Sequence, residues 1–369
     1  MIDLISKCQP IFKTPRLEIY PERIKENAAA IVEQCHKAGV KVACVTKVTA
    51  AHNAVARAMA AAGADMLADS RVENLWKLRE AGFRGPFLLL RLPAISQADA
   101  VVEAADYSLN SSLETMKALA AAARQRNLLH RVIIMIDVGD LREGVWPDRA
   151  VDLVKQASAL EGLEVAGLGC NLACYGGVIP SKINMNLLVE TAKACRQATG
   201  LELPIICGGN SSGLPILHAG ELPAEVNLYR IGEAIILGRN VIDRSAWVGT
   251  RQDTVIAVAE VIEAEVKPSL PIGERGQDAF GETQEFTDRG LRKRVICNIG
   301  RQDVVVDGIT PCEEGIVVLG GSSDHLLLDV HDCARDIKVG DEVSFYPGYG
   351  ALLALSTSQY VHKVVVEGE

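Results

Sequence analysis

Residues 131–138 read R-V-I-I-M-I-D-V, an apolar run that closes on a carboxylate. A strand that is apolar on both faces belongs in a sheet covered on both sides, as parallel strands with helices packed over them are. Working outward, similar short β-rich runs recur at Leu17–Tyr20, Lys41–Thr46, Asp65–Asp69, Pro86–Arg91 and Tyr107–Asn110. They recur again at Leu163–Asn171, Pro204–Gly209 and Glu225–Ile231. Between them, stretches such as Pro21–Ala38, Ala51–Ala62, Ser112–Asn127 and Ile183–Thr199 carry Ala, Leu, Lys and Glu at helical spacing. This alternation predicts a parallel sheet, and the number of units favours closure. The expected fold class is α/β, a (β/α)8 TIM-type barrel over residues 1–245. Nine strand candidates compete for eight places, so the first is expected outside the barrel, packing with the C-terminal residues.

The pattern changes after about residue 245. V-I-A-V-A-E-V-I-E-A-E-V (255–266), R-V-I-C-N-I (294–299), G-I-V-V-L (315–319), H-L-L-L-D-V (325–330) and E-V-S-F-Y (342–346) are Val-rich segments punctuated by Gly, Pro and Asp. They predict a C-terminal antiparallel β domain over 246–369 with no long helix. The Gly-rich polar segment 271–290 reads as an ordered loop.

Composition narrows the function classes. The 38 Lys+Arg against 47 Asp+Glu leave a net charge of −9, which opposes non-specific binding to nucleic acid or to an anionic membrane. The ten cysteines are scattered singly without a C-x-x-C pair, and Cys44 and Cys207 lie inside apolar runs. No run is long enough to span a bilayer, and the N-terminal residues lack the apolar stretch of a signal peptide. The expectation is a cytoplasmic enzyme in a reducing compartment, without a nucleic-acid or membrane partner and without an assigned metal.

In a barrel, functional side chains gather where strands end. Those ends carry Lys47, Asp69-Ser70-Arg71, Arg91, Asn110-Ser111, Asp137 with Arg142, Asn171, Asn210-Ser211-Ser212 and Arg230. Lys47 follows V-A-C-V-T, so its stem leaves an apolar strand. A lysine that loses hydration there is suited to form a Schiff base. Taken alone, a lysine snorkelling from a strand end reads the same way. G-G-N-S-S-G at 208–213 is either a phosphate cradle or a turn with an N-cap. Arg230 and the Asp137/Arg142 pair read equally as structural ion-pair partners.

Eight segments in order then make a specific pattern: P-R-L-E-I-Y, V-T-K-V, A-D-S-R-V-E-N-L, D-V-G-D-L-R-E-G, N-L-A-C-Y-G-G-V, G-G-N-S-S-G, Y-R-I-G-E-A and G-G-S-S-D-H-L-L-L-D-V. With them the chain resembles the alanine racemase-type, fold-type III family of pyridoxal-phosphate enzymes over nearly its whole length, its ornithine racemase branch most of all. The resemblance implies pyridoxal 5'-phosphate held by Lys47, which also acts as one acid/base group at the substrate α-carbon. It implies Arg142 near the phenolic oxygen, and Asn210, Ser211, Ser212 and the backbone at Gly232 around the phosphate. Arg230 would face the ring nitrogen, where a permanently charged donor opposes protonation and favours racemisation.

Three departures accompany it. N-I-G-R-Q-D puts Arg301 where alanine racemases carry a catalytic tyrosine, Asn171 replaces a cofactor-site histidine, and Met135 replaces a lysine that some members carbamylate. The family pattern therefore leaves the second base unassigned: the G-S-S-D-H run offers Ser323, Asp324 and His325, and His325 or Asp278 is the expected base. By likeness to type III decarboxylases, Asp324 recognises a side-chain ammonium, although a turn aspartate between two strands looks the same. The implied partners are a small amino-acid substrate and a second copy, in a head-to-tail homodimer whose β domains complete each other's sites. The rival readings are an alanine or broad-specificity racemase, a type III decarboxylase, which Arg230 disfavours, and a non-catalytic cofactor carrier.

Overall fold

The computed structural model describes residues 13–277, 279–283 and 285–368. The chain divides by its contacts into two compact units, one of residues 21–254 and one that joins the first described residues, to Tyr20, with residues 255–367.

The first strand, β1 (Arg16–Ile19), belongs to the second unit, as expected of the surplus candidate. The next eight close a parallel barrel: β2 (Lys41–Val45), β3 (Met66–Asp69), β4 (Phe87–Leu89), β5 (Tyr107–Asn110), β6 (His130–Met135), β7 (Leu163–Gly169), β8 (Ile205–Asn210) and β9 (Leu228–Ile231). Pairing of Ala43 with Arg230 and of Cys44 with Ile231 joins β2 to β9 and shuts the ring. The expected helices form over Pro21–Lys37, Asn53–Ala61, Leu113–Gln125 and Lys182–Thr199.

Ala43, Val45, Met66, Ala68, Leu88, Leu109, Ile133, Met135, Cys207 and Leu228 fill one buried cluster. Each is separated by two from the next inward residue of its strand, as the period-2 alternation of Cβ directions demands. Continuing the series one step carries Met135 to Asp137 and Leu228 to Arg230, whereas the helical backbone of Thr46 ends the alternation of β2 before Lys47. The barrel packing thereby aims Asp137 and Arg230 towards the mouth.

In the second unit β1 pairs antiparallel with β10 (Val255–Pro268) and parallel with β16 (His362–Val365). The remaining strands are β11 (Leu291–Cys297), β12 (Ile309–Pro311), β13 (Val317–Gly321), β14 (Leu326–Asp329) and β15 (Glu342–Pro347). Their order is β12-β15-β10-β11-β14-β13. The helix Tyr349–Thr357 was not expected: its Ala and Leu residues surround the helix without forming one apolar stripe, so no helical period stands out. The described residues of 271–290 form no helix or strand before Gly290.

Candidate active site

β8 and β9 build one side of the barrel mouth. The register of β8 against β9 slips between Cys207 and Asn210, with Gly209 at φ +117° in the slip. A residue with a Cβ is strained at such an angle, and the bulge re-aims Asn210. Asn210 is then used up locally. Its Nδ2 donates to Asn171 Oδ1 at 3.1 Å and to the Leu172 carbonyl at 2.8 Å, and its Oδ1 accepts from the Ser212 N–H at 2.8 Å. Asn210 thus caps the turn Ser211–Gly213 and fastens it to the end of β7. Ser211 Oγ accepts from the Ala234 N–H at 3.3 Å, tying the turn to the helix Glu233–Leu237. Ser212 Oγ and Asn171 Nδ2 are buried and have no hydrogen-bond partner.

Arg230 is 4% exposed and donates to three neutral oxygens. They are Gly209 O at 3.2 Å, Cys170 O at 2.7 Å and Asn171 Oδ1 at 3.3 Å. A guanidinium dispersed over carbonyl dipoles holds its charge without a bonded carboxylate, a costly arrangement unless something facing it uses that charge. Gly232 brings the end of β9 against β2. A Cβ added there would lie 2.9 Å from Val45 Cβ and 3.1 Å from Val45 O, so a larger residue would push the cradle away from the lysine strand.

Lys47 opens the turn Lys47–Thr49 at the end of β2 and is half-buried. Close by, burial raises the Glu233 carboxyl above the usual carboxylate range, while the charges of Arg244, Arg239 and Lys47 draw it back. Sequence reasoning did not single out Glu233. Its place directly after Gly232, in the first turn of a helix that follows a barrel strand, is the signal that would have found it. Glu233 is half-buried and ion-paired with Arg244, so an acid and several cations share the surroundings of Lys47.

The loops after β6 and β7 form the adjoining side. Asp137 Oδ1 accepts from the Gly139 and Leu141 N–H groups, closing a tight turn. Asp140 is 1% exposed and accepts from the N–H groups of Cys174, Tyr175 and Val178 at 3.4, 3.0 and 3.1 Å. It clamps one loop to the other, a role not evident from its place in the sequence. Arg142 is ion-paired to Glu143 and donates to Cys174 Sγ at 2.6 Å.

Asp324 and His325 lie in the exposed turn between β13 and β14 of the second unit. Asp324 Oδ1 accepts from Gln302 Nε2, and His325 Nδ1 lies 3.4 Å from Ser322 Oγ. The Arg301 N–H donates to the Ser322 carbonyl at 2.8 Å. Its guanidinium lies 4.3 Å from the centre of the Phe280 ring and 3.1 Å from Glu282. Arg301, Asp324 and His325 therefore share one loop cluster. Asp278 lies outside the described residues.

A family model described as alanine racemase, N-terminal domain, matches residues 19–240. An ornithine racemase of Acetoanaerobium sticklandii is 42% identical over 95% of this chain and 99% of its own length. A lysine racemase of Thermotoga maritima is 41% identical over 95% of this chain and 98% of its own. Among solved structures, an alanine racemase of Clostridium difficile superposes with a TM-score of 0.73 at 19% identity, over 96% of this chain and 97% of that one. At that identity the last likeness speaks for the fold alone.

Proposed function

Because the chain belongs to the alanine racemase N-terminal domain family, we propose that it is a pyridoxal-phosphate-dependent amino-acid racemase acting on ornithine or another basic amino acid. One observation carries this reading: likeness along nearly the whole chain to an ornithine racemase and a lysine racemase, whose named substrates both bear a side-chain ammonium.

The barrel mouth suits the cofactor. Buried, unpartnered Ser212 Oγ and Asn171 Nδ2 await acceptors or donors from a ligand, and Arg230 offers a charge bound only to neutral oxygens. Ser211, Ser212 and the backbone at Gly232 would hold a phosphate, with Asn210 shaping the turn that presents them. Bound pyridoxal 5'-phosphate supplies an electron sink that acidifies the Cα–H of an amino acid joined to it.

Lys47 would remove or return the proton at Cα on one face. Arg230 can only donate, so if it faced the cofactor's ring nitrogen it would oppose protonation there, moderating the sink and favouring proton return over loss of carbon dioxide. Arg142, steadied by Glu143, would donate to the phenolic oxygen. Asp324 would pair with the substrate's side-chain ammonium. His325 or Asp278 would serve the other face of Cα.

Asp324 and His325 would act in the site of a second copy, in a head-to-tail homodimer. Tyr175, Ile179, Ile183 and Leu187 on the barrel unit support a protein partner: they are exposed apolar residues within one stretch, Ile183 at 83%. Free thiols such as Cys44 and Cys207 support a reducing cytoplasm as the working compartment. Among the described residues no helix is long and apolar enough to cross a membrane.

The test is a chiral assay of the purified protein in deuterium oxide against L- and D-ornithine, lysine and alanine. Loss of optical rotation with deuterium entering at Cα is expected for the basic substrates, and Lys47→Ala abolishes it. Carbon dioxide release, or racemisation by Lys47→Ala, would overturn the assignment.

A further inference from the structure

Directly behind Lys47 the backbone turns through two consecutive alanines with positive φ, Ala50 at 49° and Ala51 at 54°. A Cβ makes the left-handed region unfavourable, and two neighbours occupy it only where the surroundings compel them. The compulsion here comes through Thr46. Its carbonyl accepts from Thr49 N–H at 3.1 Å, Thr49 Oγ1 at 3.0 Å and Ala51 N–H at 3.3 Å. Its own N–H donates to Ala68 O at 2.9 Å, and its Oγ1 donates to Asp69 Oδ2 at 2.8 Å. Asp69 is fixed in turn, since its Oδ1 accepts from Arg71 N–H and from Asn74 Nδ2, both at 3.0 Å.

Thr46 and Asp69 are both completely buried. Sinking a carboxylate among neutral donors is expensive, and burial pushes its pKa up accordingly. Capping the helix Val72–Glu80 does not call for that expense. In this same chain the hydroxyl of Ser181 caps the helix Lys182–Thr199 without a buried charge. The surplus acceptor strength of Asp69 is directed at Thr46, the residue on which the strained turn hangs.

We infer that Thr46 and Asp69 are positioning residues for Lys47: the buried hydroxyl-to-carboxylate bond locks the strained turn that presents the lysine to the cofactor. This rests on the reading of Lys47 as the cofactor's lysine. Both side chains are completely buried, so loosening the bond would leave substrate recognition intact and misplace the amine. An ångström of misplacement costs on the order of 100-fold in rate.

The experiment uses the holoenzyme. Thr46→Val removes the hydroxyl, Thr46→Ser restores it, and Asp69→Asn removes the charge. For each, kcat, KM and the pH midpoint of the visible absorbance of the lysine-bound cofactor are measured, with circular dichroism as the check on folding. Thr46→Val and Asp69→Asn are expected to lower kcat roughly 10- to 100-fold at a KM within about threefold, and to move the absorbance midpoint. Thr46→Ser is expected to keep most of kcat. The inference is overturned if Thr46→Val leaves kcat and the midpoint unchanged, or if Thr46→Ser falls as far as Thr46→Val. Should one variant not fold, the other decides by the same readings. A Lys47→Ala protein that still shows the lysine-bound absorbance would sink the underlying reading instead, which separates the two failures.

Discussion

Lys47 opens the turn that ends β2, and its backbone is restrained by Thr46 and the left-handed pair behind it. The strain at Ala50 has a measurable side. Ala50→Gly removes the Cβ penalty at φ 49°, and stability is expected to rise by about 0.5–1 kcal/mol in denaturant titrations, the looser glycine chain offsetting part of the relief. If the strain serves to aim the lysine, the stabilised variant turns over more slowly. Equal or faster turnover would show that the strain has no part in activity. At this scale the sequence named the side chains and left their duties open. Asn210 and Ser212 look interchangeable in G-G-N-S-S-G, yet one is spent as a cap and the other is buried without a partner.

Elements carry a second kind of constraint. β7 and β8 approach so closely that a Cβ on Gly167 would overlap the Ile205 carbonyl, which is why a glycine sits inside a strand there. Between β5 and β6, His130 lies buried with its Nε2 2.7 Å from Ser108 Oγ. Burial pulls its pKa from 6.5 down to about 4. The folded protein keeps this ring neutral, whereas the unfolded chain takes up a proton below pH 6.5. Stability from this group is therefore whole above pH 6.5 and falls as pH drops towards 4. Between pH 6.5 and 5 the loss amounts to roughly 1.5 kcal/mol. Denaturant titrations of wild type and His130→Asn at both pH values check it: the variant should lose less, and equal losses would refute the assignment. The strands themselves were legible because each is a short apolar run between turn residues. The helix Tyr349–Thr357 was not, since its period is masked by apolar residues on every side.

For the whole molecule, the proposal that β domains serve each other's sites makes a quantitative demand. Lys47→Ala and Asp324→Ala proteins are each expected to be nearly inactive. If unfolded and refolded together in equal amounts, half of the dimers are mixed and each mixed dimer has one intact site. About a quarter of wild-type activity should then return. No recovery would mean that Asp324 acts within its own subunit or not at all.

By itself the sequence determined the barrel, its surplus first strand, the β-rich C-terminal unit and the side chains at the strand ends. Those come from alternation, length and turn residues, which are local properties of a chain. Tertiary structure alone decided that Asp140 clamps two loops and that Glu233 lies half-buried near Lys47. It also decided that Asp69 reaches Thr46 across neighbouring strands. Such contacts depend on strand register and on what burial does to a charge, and neither is written in the order of residues until the barrel closes.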